Sequence, residues 1–207
     1  MNFLKRKDEY FFDDVVRKIF SEKKKIIDIG GGLRIDKLKN NRFDSSHEWI
    51  LPLTKNVEYL IMDPVDTFHP DILGDIHNMP FIDGSIDAIF CLAVFEHIEN
   101  PFKATSEIYR VLKDDGLAFL YLPFLYYYHA EKGYYKDYWR FTEDSIRLMF
   151  KDFSSIEVCP VRGRFETWIR LSPLGGYKFF VFLFRVIDLI FKKDSKQVGG
   201  YNVFLKK

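Results

Sequence analysis

Short apolar segments that alternate with helical segments constrain the fold of this 207-residue chain more than any other feature. Apolar residues recur at helical spacing over 9–20 and 101–112, and apolar strand-like segments follow at 25–29 and 117–122. The second of these strands is a continuous apolar run, which is typical of a strand covered on both faces. Other strand-like segments lie at 57–62, 71–73, 86–91, 155–161 and 201–205. We expect one α/β domain, residues 1–207, with a doubly wound sheet of seven strands and helices on both faces.

The composition argues against several classes of protein. Apolar residues make up 47% and charged residues 29%, a balance that is typical of a folded globular chain and not of a disordered one. The formal net charge is +1, so no nucleic-acid partner is expected. The two cysteines, Cys91 and Cys159, are too few for a disulfide framework, which favours a cytoplasmic location. The first nine residues lack the apolar core of a secretory signal.

The residues that follow the predicted strands are candidates for a binding site, because ligands of such sheets bind at the carboxyl ends of the strands. After the first strand, Asp28 precedes three glycines that would let the backbone turn tightly and approach a ligand closely. These glycines are Gly30, Gly31 and Gly32. A dinucleotide-binding loop would need a further glycine at the position of Ile35, which argues against NAD.

The later strand ends carry side chains that suit a nucleoside. Asp63, followed by Pro64, could accept two hydrogen bonds from the hydroxyls of a ribose, although an exposed turn residue is the alternative. Asp75 could accept a hydrogen bond from an exocyclic amine while Ile76 covers one face of the ring. The fourth strand is followed by three more candidates, Cys91, Leu92 and His97.

The order of these segments resembles that of the class I S-adenosylmethionine-dependent methyltransferases, of the broad type-11 group. Residues 27–32 resemble the family's D-x-G-x-G motif, 85–98 its "s-f-D-x-v … l-E-H-v" segment and 112–117 its "L-K-P-G-G" turn, within a resemblance that covers 24–125. It implies a Rossmann-like sheet ordered 3-2-1-4-5-7-6 with the last strand antiparallel. It also implies S-adenosylmethionine as cofactor and methyl transfer to a small-molecule or glycan-type acceptor. The cofactor-binding residues that it implies are Asp28, Gly30, Gly31, Gly32, Asp63, Pro64, Asp75, Ile76, Cys91, Leu92 and His97.

A second segment resembles a methyltransferase subset that is often associated with glycan pathways, since His129 precedes the sequence D-Y-W-R-F-T at 137–142. His97 and His129 are the candidate bases for an oxygen acceptor, because an unperturbed imidazole titrates at about pH 6.5. His97 could instead only pack on the cofactor, and His129 could be an exposed loop residue. Arg140 is a catalytic candidate that could bind an anionic substrate group, or it could pair with Asp137 and fix the loop.

Two further expectations concern the type of reaction. No cluster of His, Asp and Glu at metal-ligand spacing is visible in the sequence, so no metal site is expected. The alternative to an enzyme is a non-catalytic regulatory module that kept the nucleoside-binding fold. The two differ in turnover, because both would bind the donor but only the enzyme would convert it.

A helical insert is expected at 162–200, between the last two predicted strands. Its apolar residues 180, 184, 187 and 191 follow helical spacing, and other apolar residues cover the remaining faces. We expect this helix to be buried against the sheet or, through 175–193, against a dimer partner. The alternative is shallow contact with an anionic membrane, since 161–207 holds ten Lys or Arg and three acids. The apolar run is too short and too charged to span a bilayer.

Overall fold

Seven strands form a sheet at the centre of the protein. The computed structural model describes residues 5–35, 43–191 and 195–207. The strands are β1 (Lys25–Ile29), β2 (Glu58–Asp63), β3 (Ile72–Leu73), β4 (Ile86–Leu92), β5 (Leu112–Pro123), β6 (Ser155–Val161) and β7 (Gly200–Lys206). Their order is β3-β2-β1-β4-β5-β7-β6, and β7 runs antiparallel to both of its neighbours while the other pairs are parallel. This order and the antiparallel last strand confirm the predicted fold.

Helices cover both faces of the sheet, as its apolar strands require. The α-helices are α1 (Lys7–Glu22), α2 (Pro101–Val111), α3 (Glu143–Met149), α4 (Arg164–Leu171) and α5 (Lys178–Phe191), with 3-10 helices at Ser45–Asn56, Asp66–Phe68, Phe95–His97 and Pro173–Gly176. On one face, Val16 of α1 belongs to a core with Phe90 of β4 and Phe119 of β5. On the other face, Ile108 of α2 belongs to a core with Ile89 of β4. Because the neighbouring residues Ile89 and Phe90 are both fully buried, β4 must be apolar on both sides.

Two helices begin where the capping chemistry of the sequence places them. The Asn100 side chain accepts a hydrogen bond from the Lys103 N–H, and Pro101 occupies the first turn of α2, where a missing N–H costs little. The Thr142 hydroxyl accepts one from the Ser145 N–H at the start of α3. Thr142 therefore marks the end of the long loop that follows β5 and the start of α3.

The segment between β1 and β2 is longer than a simple crossover. Its sequence over 38–53 looks like a polar insertion, and the structure shows a 3-10 helix, Ser45–Asn56, over much of it. Ile50 of this helix is fully buried in the same core as α1. Residues 36–42 lie outside the described part of the chain.

The helical insert between β6 and β7 consists of α4, the short 3-10 helix and α5. Asp188 of α5 accepts hydrogen bonds from the backbone N–H groups of Phe165 and Glu166 at the start of α4. Arg185 donates to Glu9 of α1, at 2.7 Å. These polar contacts hold the insert beside α1 and next to the end of β6.

The expectation that α5 is buried against the sheet is wrong. None of its described residues is fully buried, and Phe179 and Ile190 are 70% and 68% exposed. The apolar residues point in all directions, so the contact with α4 can cover only part of them. Among the described residues, the structure contains no helix with the length and apolar character needed to traverse a bilayer.

Candidate functional site

A cavity of about 950 Å³ opens at the carboxyl ends of β1, β2 and β4. This is the point where the strand order reverses, because β1 lies between β2 and β4 and the chain crosses from one side to the other. Six of the residues predicted to bind the cofactor line the cavity: Gly30, Asp63, Pro64, Asp75, Ile76 and His97. The other five, Asp28, Gly31, Gly32, Cys91 and Leu92, are not part of its lining.

Asp28 lies beneath the glycine loop and holds it in place. Its carboxylate is fully buried and accepts hydrogen bonds from the N–H groups of Gly32 and Leu33, each at 3.0 Å, and from the Tyr59 hydroxyl at 2.6 Å. Burial raises the pKa of Asp28 to about 6, although these hydrogen bonds act in the opposite direction. The sequence suggested direct contact with the ligand, whereas in the structure Asp28 orients the loop that faces it.

Two of the glycines are required by close approach. Gly30 has a φ of +75°, and a Cβ added there would lie 2.7 Å from Cγ2 of Val94. A Cβ added to Gly32 would lie 2.7 Å from Cβ of Leu92, across the turn from β4. A side chain at either position would push the turn after β1 away from the turn after β4, and both turns border the cavity.

The acidic residues after β2 and β3 lie in the same cavity. One carboxylate oxygen of Asp63 accepts a hydrogen bond from the Val65 N–H at 2.9 Å, which holds the turn that Pro64 enters. One oxygen of Asp75 accepts from the N–H of His77 and contacts its Nδ1 at 2.8 Å. Asp75 is 62% exposed, so its carboxylate can meet a ligand without rearrangement of the core.

Cys91 belongs to the core and not to the cavity. It is fully buried on β4, and burial raises the pKa of its thiol well above the ordinary value. The cavity wall next to it is formed by Ala93 and Val94 instead. Ala93 has a φ of +57°, a conformation that non-glycine residues rarely adopt, and its N–H donates to the Tyr121 carbonyl. The backbone after β4 is thus turned sharply at the cavity.

The loop between β5 and α3 forms a further wall of the cavity. The N–H groups of Tyr138 and Trp139 both donate to the Glu96 carbonyl, at 2.7 and 3.2 Å, and the Trp139 indole donates to the Ile98 carbonyl. These contacts fasten the loop to the turn after β4. Its cavity-lining residues include Tyr128, Glu131, Tyr134, Tyr135, Lys136 and Tyr138. The density of aromatic residues was the one signal that could have indicated this wall.

Arg140 is held entirely by the loop in which it lies. Its guanidinium donates two hydrogen bonds to the Asp137 carboxylate, at 2.5 and 2.8 Å, and three more to the carbonyls of Tyr126, Tyr127 and Trp139. These five bonds use all five of its N–H groups. Of the two readings of Arg140, the structural pair with Asp137 is the one that the geometry supports, and none of its donors is left for a substrate.

Glu96, His97 and His129 meet next to the cavity, which corrects the expectation that the chain holds no cluster at metal-ligand spacing. Their ligand atoms lie within 4.8 Å of one another. Oε1 of the buried Glu96 is 3.8 Å from Nε2 of His97 and 3.7 Å from Nε2 of His129. Burial lowers the pKa of His97, whereas the carboxylate of Glu96 raises that of His129.

The comparisons with known sequences place a methyltransferase domain in this chain. Residues 55–120 match the family described as "Methyltransferase domain". An uncharacterized 37.1 kDa protein in transposon TN4556 of Streptomyces fradiae is 37% identical over 73 residues, which are 35% of this chain and 19% of that protein. An uncharacterized protein of Methanocaldococcus jannaschii is 42% identical over 45 residues, 22% of this chain and 20% of that protein. The chain spans about a fifth of the length of these curated relatives.

Several solved structures with a similar fold are described as methyltransferases. A SAM-dependent methyltransferase from Archaeoglobus fulgidus has a TM-score of 0.59 at 14% identity, with 94% of each chain covered. A putative methyltransferase from Haloferax volcanii, in complex with the activator Trm112, has a TM-score of 0.54 at 14% identity. The match covers 95% of this chain and 91% of the other. Phosphoethanolamine N-methyltransferase 2 from Haemonchus contortus has a TM-score of 0.52 at 16% identity. The match covers 95% of this chain and 52% of that one. Residues 55–120 thus match a methyltransferase domain, and the chain as a whole has the fold of S-adenosylmethionine-dependent methyltransferases.

Proposed function

We propose that the protein transfers the methyl group of S-adenosylmethionine to a small-molecule or glycan-type acceptor. The observation that carries this proposal is the single cavity at the strand-order reversal, in which Gly30, Asp63 and Asp75 lie together. In this arrangement the Asp63 carboxylate accepts hydrogen bonds from the ribose hydroxyls, and Asp75 with Ile76 faces the adenine. The backbone at Gly30 approaches the methionine portion. The similar fold from Haemonchus contortus was solved with S-adenosyl-L-methionine, which supports this choice of donor.

Methyl transfer from a sulfonium needs little chemistry from the protein, because the donor is already activated. The acceptor atom forms a bond to the methyl carbon as the carbon–sulfur bond breaks, and the sulfur keeps the electron pair of that bond. The main task is to hold the three atoms in line, which can lower the barrier by roughly 7–11 kcal/mol in ideal cases. A hydroxyl acceptor also loses a proton, and the candidate bases are His97, which lines the cavity, and His129, whose ring lies 4.8 Å from that of His97.

The aromatic wall supports an acceptor with a ring. Tyr128, Tyr134 and Tyr135 line the same cavity as Gly30. Tyr128 is 74% exposed, so its ring offers an apolar face to a ligand and not to the core. Binding sites for small molecules combine such faces with few polar groups, and a sugar ring presents apolar C–H faces between its hydroxyls. We therefore favour a glycan-type acceptor within the proposed class.

Turnover tests this function against the alternative of a non-catalytic binding module. Isothermal titration should show that the purified protein binds S-adenosylmethionine, and incubation with acceptors should release S-adenosylhomocysteine. The acceptor panel consists of sugar nucleotides, lipid-linked glycans and small amines. The enzyme is expected to consume the donor with one of these classes and not with the others. Binding of the donor with no release of S-adenosylhomocysteine from any class would instead favour the regulatory module.

The position of the insert adds a proposal about where the reaction takes place. β6 and β5 both run antiparallel to β7, so they end at the same edge of the sheet, and the insert begins at that edge. A smaller cavity between Tyr126 and Tyr127 of the loop and Arg170 of α4 shows that the insert adjoins the cavity wall. We propose that α5 rests on an anionic membrane surface beside the opening of the site. Its exposed apolar residues and the basic excess of 161–207 support this occupant.

Flotation with liposomes tests the membrane contact. Wild-type protein is expected to float with vesicles that contain phosphatidylserine, and the double variant Phe179→Glu/Phe182→Glu is expected to stay in the lower fractions. Phe102→Glu is the matched control, because Phe102 is 55% exposed on α2, outside the insert, and should not affect flotation. Wild-type protein that never floats, but whose molar mass doubles with concentration unless Phe179 and Phe182 are replaced, would show that α5 binds a second copy instead.

A further inference from the structure

Glu96, His97 and His129 have the composition and arrangement of a metal-ligand set. Two imidazoles and one carboxylate are the donors that bind first-row transition metals, whereas Mg²⁺ and Ca²⁺ prefer oxygen alone. The two nitrogens lie at nearly equal distances, 3.8 and 3.7 Å, from the same oxygen of Glu96. Both distances are too long for a hydrogen bond. The three groups therefore approach one another without bonding directly.

The backbone fixes which ring nitrogen faces the cluster. Nδ1 of His97 lies 2.7 Å from the Lys136 carbonyl, and Nδ1 of His129 lies 3.1 Å from the Tyr127 carbonyl. A carbonyl can only accept, so each Nδ1 carries the proton, and each Nε2 of a neutral ring presents a lone pair to the cluster. Metal-binding histidines are oriented in this way by an acceptor behind the ring. The Asp137 carboxylate adds to this support, because it accepts from the backbone N–H of His129 at 2.8 Å and lies 3.2 Å from Nδ1 of the ring.

The carboxylate of Glu96 gives a second observation, independent of the arrangement of the two rings, that points to a bound cation. Its side chain is 1% exposed, and Oε2 has no hydrogen-bond partner among the described residues. A buried carboxylate oxygen that lacks a partner is costly unless a cation compensates it. Oε1, which faces the two rings, and the unpartnered Oε2 belong to this one buried carboxylate, so the lone pairs of both rings lie beside its negative charge, and a positive ion would balance them.

We propose that Glu96, His97 and His129 bind a divalent first-row transition metal ion, such as Mn²⁺, at the wall of the cavity. Metal–nitrogen bonds of about 2.1 Å place neighbouring ligand atoms roughly 3 Å apart, so the side chains would close in on the ion by less than 1 Å. Three protein ligands leave positions open on the side of His97, which lines the cavity. The open positions suit an acceptor with two adjacent oxygens.

The role of the ion in catalysis rests on the proposed methyl transfer. A metal-bound hydroxyl loses its proton more readily, and that proton passes to water because the two Nε2 atoms are occupied by the metal. The acceptor oxygen then forms its bond to the methyl carbon as the carbon–sulfur bond breaks, and S-adenosylhomocysteine leaves. In this description His97 and His129 are ligands and not bases.

Electron paramagnetic resonance with Mn²⁺ alone tests the site without any substrate. The full chain, freed of metal, is expected to quench the signal of one equivalent of free Mn²⁺, and pulsed spectra of the bound ion should show couplings from imidazole nitrogen. Glu96→Gln and His129→Asn are expected to lose this binding. His69→Asn is the matched control, since His69 is exposed and has a φ of 49°, a conformation that asparagine adopts readily.

Several outcomes would overturn the metal site, and none of them would by itself contradict the proposed methyl transfer. A wild-type chain that leaves Mn²⁺, Co²⁺ and Zn²⁺ free at millimolar concentration contradicts it, as does binding without nitrogen couplings or binding that survives in both ligand variants. Circular dichroism of each variant shows whether it folds, and His129→Asn carries the test if Glu96→Gln does not. Binding of S-adenosylmethionine, measured by titration without metal, reports on the methyltransferase proposal independently.

Discussion

Replacement of Asp63 by alanine is expected to weaken the binding of S-adenosylmethionine by roughly 100-fold or more. Hydrogen bonds to a charged group contribute about 1.5–3 kcal/mol each, and the proposed contact with a ribose comprises two of them. A loss of about 3 kcal/mol corresponds to a factor of more than 100 in the dissociation constant. Isothermal titration measures this change directly, and titration with S-adenosylhomocysteine should give a similar loss because the ribose is the same.

Two further variants separate this contact from a disturbed turn. Asp63→Asn keeps an oxygen that can accept from the Val65 N–H, so its turn should be intact and its affinity should fall between those of wild type and Asp63→Ala. Asp66→Ala removes an exposed carboxylate of the next short helix, outside the cavity lining, and should bind the donor like wild type. If Asp63→Ala binds the donor as tightly as Asp66→Ala does, Asp63 does not belong to the proposed binding site.

Replacement of Arg140 by alanine should release the loop that walls the cavity. The side chain of Asp137 is 1% exposed, and without Arg140 its charge remains buried and lacks its main partner. A buried charge left in this way costs about 3–5 kcal/mol, and because Arg140 itself is partly exposed we expect about 3 kcal/mol. Denaturant titration should record the loss, and hydrogen exchange should show faster exchange over 124–141. Exchange limited to other segments would contradict this role.

Arg147→Ala is the matched control for that prediction. Arg147 pairs with Glu143 one helical turn away, and the Arg147 side chain is half exposed while that of Glu143 is about a third exposed, so its removal should change stability by no more than about 0.5 kcal/mol. The stabilisation by the ion pair of Arg140 and Asp137 should also depend on pH. Arg140 lowers the pKa of Asp137 to about 2, so the stabilisation is complete above about pH 4 and is lost as the pH falls towards 2. Asp137→Asn should abolish this acid sensitivity of the loop.

The strands could be predicted because each has its own local pattern, whereas their order was implied by the family resemblance. The segments 25–29 and 155–161 begin and end in the structure where the sequence places them. The rule that ligands bind at the carboxyl ends of parallel strands then brings Asp63 and Asp75 to one cavity, although eight residues, including a short 3-10 helix, separate their strands. These inferences require only local apolar patterning and a general property of the fold.

Features that depend on packing between distant segments could not be predicted in the same way. Asp28 has the sequence position of a ligand-binding residue, but Tyr59 lies 31 residues away and its hydroxyl helps to hold the carboxylate below the loop. The meeting of Glu96 with His129 depends on how the loop after β5 folds back, which no spacing in the sequence encodes. The exposure of α5 is a third case, because a helix that is apolar on all sides looks like a core helix until its neighbours are known.

The position of β7 has a consequence for how this protein is made. β7 lies between β5 and β6, yet the ribosome produces it after both of them and after the whole insert. Until residues 200–206 emerge, one edge of β5 in a nascent chain has no partner strand. β6 lacks β7, the strand with which it pairs in the described sheet. Exposed edges of this kind invite pairing with other chains. Synthesis that stalls within the insert should therefore leave a chain that depends on chaperones to stay soluble.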